Sequence, residues 1–499
     1  MPDYSTPYRF SGTARSKDNP DGPIDTGSRF YGLKDRDFRK TQADIGTMQV
    51  QHDFGNDLVV SNTTRFGRSS NNYITTNPDD SIGNIVNGYL ARSSKNRISD
   101  TETATNQTNL TSKFDTGSIK HTFSTGFEIS REQANVGGFV VRPGAGANMR
   151  PCNDAALASG DCTGLWNPNP NQTWTGSTER SPSNTQTTTN TRSVYALDTL
   201  ELSKQWLLNL GLRYDSYNTT ANTPSYVRVV ATGDGKGPNA VGATVPTLNL
   251  KNNANFWNYQ TALIYKLTPA ASIYGSLSTA STPSGNSAGD GGDNIAATNK
   301  DLAPERSRTY EIGGKWLVSN KQLALNAAIF RTEKNNAKVQ VDAATFQTIG
   351  KQNVQGFELG VAGNVTEKWQ AFAGYTYLDS VLNDAGKYNG AAANNGNQFP
   401  NTAKHSFSVW STYQVLPKLT VGGGAFYMSR VFGNAANSVF VPGYTRFDAM
   451  TSYVVNNDVT LQLNIQNLTN KRYFDQAFVT HYAHQAAGRT AILSANVKF

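Results

Sequence analysis

Long apolar runs are missing from this sequence. Only 37% of its 499 residues are hydrophobic, and no run of about 18 apolar residues offers a transmembrane helix. Charged residues are also scarce, at 16%. Asn, Thr, Ser, Gly and Tyr fill the gap, a mixture too aromatic for simple disorder. The composition instead predicts an all-β, transmembrane antiparallel β-barrel with an apolar outer band, a polar lumen and long polar loops.

The net charge of +8 does not select one class of partner. The Lys and Arg residues are scattered and form no basic run, which disfavours a nucleic-acid binder. A positive lumen or vestibule that attracts anionic ligands fits the same charge.

The chain has two cysteines, Cys152 and Cys162, in one stretch rich in Gly and Pro. Nothing near them completes a zinc-binding pattern. We therefore expect a local disulfide, formed in an oxidising compartment, that closes a loop.

Period-two alternation is the main structural signal. In Ile119–Ile129, apolar residues on one face alternate with polar residues on the other, and Trp206–Asp215 repeats the pattern. Each run has about the ten residues that a tilted strand needs to cross a bilayer. Short turns rich in Gly, Asn, Asp and Pro join these runs in pairs, while polar stretches, the longest being 135–190, separate the pairs.

This spacing predicts 17 strands, the first at Phe38–Phe54 and the last at Gly488–Phe499, with residues 1–37 as an extracellular loop. Bacterial single-chain barrels use an even number of strands. The odd number leads us to expect residues 38–499 to form most of a 22-stranded barrel that lacks its first five strands.

Several segments resemble the barrel of TonB-dependent siderophore receptors, and they occur in that family's order. These segments are Gly211–Asp215, Leu302–Gly313, Gly356–Leu359, Gly374–Asp379, Asn401–His405, Tyr444–Ala449, Leu463–Tyr473, Gly488–Thr490 and the terminal Phe499. One departure is Ala403, which stands where the family has Pro.

The resemblance implies an outer-membrane receptor and transporter for ferric siderophores, with the catecholate branch favoured. It also implies the partners: the ferric siderophore, the TonB–ExbB–ExbD complex in the intact receptor, the lipid bilayer and lipopolysaccharide, but no nucleic acid. The family's signal peptide, TonB box and plug are not found, so we expect an N-terminally truncated barrel portion.

Motifs for catalysis and cofactors are absent or weak. There is no phosphate loop, no H-E-x-x-H and no G-x-S-x-G. Gly233–Gly237 and Gly289–Asn294 are interpreted as loops, and His481 and His484 as solvated loop residues. We therefore expect no enzyme activity, no metal site and no cofactor, with iron carried only inside the ligand.

Loop Arg and aromatic residues are the candidates for binding an anionic, often aromatic, iron chelate. They are Tyr4, Arg29, Tyr31, Arg142, Arg150, Trp166, Trp174, Phe399, Arg472 and Tyr482. Ordinary loop or girdle packing is the alternative for each of them. For the whole chain, the alternatives are a passive outer-membrane porin, a non-functional receptor fragment and a barrel enzyme.

Overall fold

The computed structural model of the chain describes residues 6–7, 29–79, 84, 87–229, 241–284, 300–318, 322–340, 346–438, 440–477 and 482–498. Within these ranges the chain is almost entirely antiparallel β-structure, which confirms the predicted fold class.

Seventeen long strands lie in the part of the chain that the structure describes, and we number them in chain order. The first nine are β1 Phe38–Asp53, β2 Val59–Asp79, β3 Tyr89–Thr116, β4 Ile119–Arg142, β5 Ser177–Glu201, β6 Trp206–Thr223, β7 Leu248–Thr268, β8 Ala271–Thr282 and β9 Glu305–Val318. The other eight are β10 Leu323–Gln340, β11 Phe346–Thr366, β12 Trp369–Asp384, β13 His405–Leu416, β14 Leu419–Met428, β15 Tyr444–Val454, β16 Val459–Gln466 and β17 Thr490–Val497.

The remaining elements are short. An α-helix spans Asp154–Ala158 and a 3-10 helix spans Tyr388–Asn394. Short strands occur at Thr6–Pro7, Cys162–Gly164, Tyr226–Val227, Thr244–Val245, Val431–Phe432, Phe440–Val441, Phe474–Ala477 and Tyr482–Gln485. No helix among the described residues is both long and apolar enough to cross a bilayer.

The register of the strands confirms the two-faced pattern. Val194 of β5 lies opposite Phe127 of β4 and Tyr214 of β6, and Tyr214 lies opposite Trp257 of β7. Residues directly opposite each other share a face, so these four apolar side chains form one outward row. The intervening residues point to the other face, as Arg213 does; its guanidinium lies 3.5 Å from the Glu128 carboxylate.

Several strands are longer than the alternation predicted. Polar stretches expected to be loops are partly strand, because β4 continues to Arg142 and β5 begins at Ser177. Beyond the lipid both faces of a strand meet water or other loops, so apolar and polar residues need not alternate there. The hydrogen-bonded ladders therefore continue beyond the lipid, but the alternation that would reveal them in the sequence ends there.

The short turns have the backbone that their residues favour. Gly55, Asn56 and Asp57 all have positive φ, at 79°, 52° and 60°. Gly, Asn and Asp tolerate this left-handed region better than other residues. The turn reverses the chain between β1 and β2, where the amide of Phe54 donates to the carbonyl of Leu58 at 2.9 Å.

Hydrogen-bonded ladders join the seventeen strands in chain order, from β1 with β2 to β16 with β17. Among the described residues, these ladders give β1 and β17 one neighbour each. Both strands are exposed along nearly all of their length, as expected of strands that are covered from one side only.

We expect Leu263→Lys to impair assembly, because Leu263 faces outward, opposite Leu208 and Gly275. A lysine near the bilayer midplane costs about 2–4 kcal/mol. The measurement is the amount of heat-modifiable, folded protein in outer membranes. Ala262→Lys, one residue away on the opposite face, is the control and should assemble normally. Equal loss in both variants would contradict the assignment of faces.

Candidate functional site

Two loops pack together at the end of the barrel that carries the long connections. Residues 29–37, before β1, lie against residues 143–176, between β4 and β5; we call this pair, with the start of β3, the Arg92 module. Its apolar centre consists of Tyr31, Leu90 and Leu165, all buried. The Tyr31 hydroxyl donates to the carbonyl of Leu165 at 2.8 Å, so both parts of the module meet at this residue.

A fully buried arginine holds the module together. Arg92 lies in the part of β3 that extends beyond the apolar band, and its side chain is 1% exposed. Its guanidinium donates to the carbonyls of Tyr31 at 2.9 Å, Gly160 at 3.0 Å and Asn169 at 2.8 Å. Burial lowers the pKa of Arg92 to about 10, which still leaves it charged at neutral pH. The hydrogen bonds that the Arg92 guanidinium donates are therefore all to groups within the module.

A second buried charge fixes the start of the barrel to the module. Asp37 accepts from Arg36 Nε at 2.9 Å and from the amide and hydroxyl of Thr76 at 3.0 and 2.6 Å. Arg36 in turn donates to the carbonyl of Arg92 at 3.0 Å. These contacts join the segment before β1 to the upper parts of β2 and β3.

A third carboxylate organises the long loop itself. Asp161 accepts from the Trp174 indole at 2.8 Å, from the amide of Gly144 at 2.8 Å and from the hydroxyl of Ser159 at 2.6 Å. A disulfide joins Cys152 to Cys162, ten residues apart, beside the helix Asp154–Ala158. The loop is therefore cross-linked by one covalent bond and by a satisfied buried carboxylate.

One cation–aromatic pair remains at the surface of the module. The Arg29 guanidinium lies 5.6 Å from the ring centre of Trp166 and donates through Nε to the Trp166 carbonyl at 2.6 Å. Trp166 is 42% exposed. An exposed arginine held beside an indole face can receive an anionic aromatic ligand.

A second group of loops forms around residues 397–404, 429–438, 440–443, 470–477 and 482–486; we call it the second loop cluster. The Asn401 side chain both donates to the carbonyl of Ala477 and accepts from its amide, at 2.9 Å each. Asn437 bonds the backbone of Gln398 in the same two-way manner, at 3.0 and 2.9 Å. In these loops, side-chain amides therefore bond the backbone groups that a neighbouring strand would bond in the barrel.

The second loop cluster carries its own exposed arginine. Arg430 lies 5.3 Å from the ring centre of Phe432 and 5.9 Å from that of Phe440. Phe432 is buried while Phe440 is 41% exposed. The pairing of Phe432 with Phe440 brings both rings to the same arginine. Like Arg29 beside Trp166, Arg430 is an exposed guanidinium held next to an exposed aromatic ring.

Stacked tyrosines close the base of the second loop cluster. The rings of Tyr444 and Tyr473 lie 4.1 Å apart. Nearby, His484 and Asp475 are joined at 2.6 Å. Burial lowers the pKa of Arg472, whose Nε donates to Gln485 at 3.1 Å.

The ten candidates from the sequence do not converge on one point. Only Arg29 and Trp166 form an exposed pair; Arg472 and Phe399 lie in the second loop cluster. Tyr4 lies outside the described residues, as do most of residues 1–28 and His481, and only the backbone of Tyr482 is described.

Four candidates have their polar groups occupied by the protein. Tyr31 is 0% exposed and Trp174 bonds Asp161, so both have packing roles in the module. Arg142 pairs with Glu179 at 2.6 Å, and Arg150 pairs with Asp79. Their selection from the sequence rested on residue type in a loop, which does not reveal an intramolecular partner.

Sequence reasoning missed Arg430 and its two phenylalanines. They occupy the two ends of one loop, and only the short strands Val431–Phe432 and Phe440–Val441 bring them together. Two-residue strands carry no alternation to detect. The sequence signal for this site is the segment Arg430–Phe432, which places an arginine and an aromatic residue just after a predicted strand.

Comparisons with known proteins place this geometry in a family. The signature described as "TonB dependent receptor-like, beta-barrel" matches residues 1–468. The chain belongs to the TonB-dependent receptor β-barrel family. It is therefore an outer-membrane β-barrel, as the motif order predicted.

Relatives in this family include receptors for siderophores. The chain is 40% identical to a probable TonB-dependent siderophore receptor, PiuA, from Acinetobacter baumannii, over 100% of this chain and 66% of the relative. It is 33% identical to the catecholate siderophore receptor Fiu from Escherichia coli, over 100% of this chain and 64% of the relative.

A solved structure supports the same placement. The crystal structure of the PiuA receptor from A. baumannii superimposes with a TM-score of 0.86 at 41% identity, covering 94% of this chain and 66% of that one. The chain thus spans about two thirds of the length of the relatives it matches.

We expect Arg92→Gln to loosen the Arg92 module while the barrel persists. The change removes charge-assisted hydrogen bonds to three carbonyls, two of them buried, at about 1.5–3 kcal/mol for each bond to a charged group. Hydrogen exchange should rise by at least tenfold in residues 29–37 and 157–172. Arg142→Gln is the control, since exposed ion pairs contribute about 0–1 kcal/mol. Unchanged exchange in the Arg92 variant would refute its structural role.

Proposed function

We propose that this chain forms most of the barrel of a receptor that binds and takes up ferric siderophores. The observation that carries the proposal is the pair of exposed cation–aromatic sites, Arg29 with Trp166 and Arg430 with Phe440, at the mouth of a barrel of this family. Ferric siderophores are usually anionic and often aromatic, so charge and ring faces together can recognise them.

A catecholate chelate is the ligand class we favour. The supporting relative is the receptor Fiu, whose name states catecholate. Catechol rings can stack on Trp166 or Phe440, and the negative charge of the complex can meet Arg29 or Arg430. Iron is cargo in this scheme and no resident cofactor is required.

The proposed mechanism is transport without covalent chemistry. In the intact protein, the loops capture the chelate and a plug inside the barrel blocks passive flow. Pulling on a TonB box by the TonB–ExbB–ExbD complex rearranges the plug and releases the ligand to the periplasm. The chain covers 66% of the length of the PiuA receptor, which fits a chain whose described long strands form part of a barrel.

Replacing Arg430 should weaken ligand binding. We expect Arg430→Gln to raise the Kd for a ferric catecholate about tenfold, as the loss of one charged and ring-stacked contact is worth about 1–2 kcal/mol. The measurement is fluorescence quenching of the purified intact protein. The matched control is Lys204→Gln, the same charge change in the short turn at the opposite barrel end. An unchanged Kd for Arg430→Gln would exclude this residue from the binding site.

Energised uptake separates the receptor from a passive porin. Cells that express the intact protein should accumulate radioactive iron from a ferric catecholate, and deletion of TonB should abolish that uptake. A porin would admit the chelate equally with and without TonB and would conduct ions steadily in a planar bilayer. TonB-independent uptake would therefore refute the proposed mechanism.

A further inference from the structure

A small antiparallel sheet in the second loop cluster presents a histidine beside a carboxylate. Strand Phe474–Ala477 pairs with strand Tyr482–Gln485, and the short strand Thr6–Pro7 pairs with the other side of Tyr482–Gln485. The middle strand, which carries His484, therefore has neighbours on both sides. Its backbone is held in place before any ligand arrives.

The ring of His484 is held through one of its two nitrogens. Its Nδ1 lies 2.6 Å from a carboxylate oxygen of Asp475. Because an ionised carboxylate can only accept, Nδ1 carries the hydrogen, and in the neutral ring Nε2 keeps its lone pair. Nε2 has no hydrogen-bond partner among the residues that the structure describes. The two side chains are 36% and 37% exposed, so a ligand from solution can reach them.

The other described histidines lack this combination. His121 also pairs with a carboxylate at 2.7 Å, but the Thr116 hydroxyl occupies its Nε2 at 2.7 Å. His405 bonds a tyrosine hydroxyl at 2.9 Å. His52 lies beside the ring of Phe54 at the opposite end of the barrel. In the described part of the chain, a carboxylate on one ring nitrogen and no partner on the other is thus particular to the histidine of the second loop cluster.

A histidine oriented in this way is prepared to bind a metal ion. Ligating histidines almost always donate their other ring N–H to a carboxylate, a carbonyl or water, which fixes the ring and makes the free nitrogen more basic. Imidazole is a suitable ligand for iron. The described residues hold no group of three or more His, Cys, Asp or Glu that could bind a free ion. The arrangement therefore fits a metal ion that arrives with most of its ligands already in place.

Positive charge lies next to this histidine. The exposed Arg472 donates through Nε to the side chain of Gln485, the residue after His484, at 3.1 Å. Its guanidinium also lies 5.8 Å from the ring centre of Phe474. An anionic chelate that brings its metal to His484 would therefore meet a cation at the same edge of the sheet.

The sheet also packs against the strands that carry the proposed ligand contacts. Its buried alanines, Ala477 and Ala483, pack with Val431 and Val441. These two valines adjoin the phenylalanine rings that lie beside Arg430. His484 and Arg430 thus belong to one packed unit of the second loop cluster.

We propose that Nε2 of His484 coordinates the iron of the bound chelate, so that the receptor favours chelates whose iron still carries water. The lone pair of Nε2 displaces one such water, which leaves as a neutral molecule. The iron stays ferric, and no electron or proton is transferred. Asp475 is the positioning residue that orients the ring, and Arg472 meets the negative charge of the chelate. The inference rests on the proposed binding of ferric catecholates and adds a direct bond to the metal.

The test uses two ferric catecholates and the purified intact receptor. One chelate has two catechols and leaves water on the iron, while the other has three catechols and fills the coordination shell. Binding is measured by fluorescence quenching. We expect His484→Gln to raise the Kd of the two-catechol chelate at least about tenfold, because losing even a partner of a metal ligand costs about 10–100-fold in affinity. The Kd of the three-catechol chelate should stay unchanged.

The visible charge-transfer absorption of the iron reports the bond itself. In the parent, the absorption of the two-catechol chelate should shift on binding, since nitrogen replaces an oxygen ligand. In His484→Gln it should stay at the position of the free chelate. Asp475→Ala should weaken binding but keep the shift, because the imidazole remains and only its orientation is lost.

A matched control makes the same substitution elsewhere. His52→Gln removes an exposed histidine at the opposite end of the barrel and should change neither the Kd nor the absorption. Heat-modifiable migration on a gel checks that each variant is folded. If His484→Gln is not folded, His484→Ala replaces it with the same expected results.

Several results would overturn the proposal. An unchanged Kd of the two-catechol chelate in His484→Gln, or no shift of its absorption in the parent, would show that the imidazole does not reach the iron. An equal loss of affinity for both chelates would assign His484 a contact with the organic part of the ligand instead. In each of these cases the parent still binds a ferric catecholate, so this inference alone fails. If the parent binds neither chelate, the proposed function fails with it.

Discussion

The need to pair every backbone amide and carbonyl inside the lipid governs this structure. An unsatisfied group costs several kcal/mol in the bilayer core, where no water can replace a partner. The ladders between successive strands satisfy that need in chain order, except along the outer edges of β1 and β17, which have no partner among the described residues. The pleat then dictates which side chains meet lipid. The outward row of Phe127, Val194, Tyr214 and Trp257 follows from the ladders.

Beyond the lipid the same need is met by side chains. Arg92 bonds three carbonyls of two loops, and Asn401 bonds the amide and the carbonyl of Ala477. Burying a charged group is unfavourable unless its hydrogen bonds are satisfied, so Arg92 specifies one arrangement of residues 29–37 against 143–176. Trp166 is therefore held beside Arg29 before any ligand arrives, which reduces the conformational entropy that binding would otherwise cost.

The barrel was predictable from the sequence to the extent that lipid imposes a repeating pattern. Phe38 as the first residue of the first strand, the alternation at Trp206–Asp215 and the turn at Gly55–Asp57 all appear in the structure. The upper parts of the strands and the loop contacts were not predictable. Tyr31 bonds Leu165, which lies 134 positions further along the chain, and Arg430 contacts Phe440 across a loop. Neither pair leaves a periodic pattern in the sequence.

Arginine illustrates why residue type alone could not identify a site here. Arg92 is buried and bonds carbonyls. Arg213 lies on the inner face beside Asp215 at 2.9 Å and Glu128 at 3.5 Å. Arg430 is exposed and contacts the rings of Phe432 and Phe440. The first two have their charge balanced or satisfied within the fold, so binding an anion there would require breaking existing contacts. Arg430 requires no such exchange, and this difference in partners is why we propose Arg430, and not Arg92 or Arg213, as a position that recognises an anion.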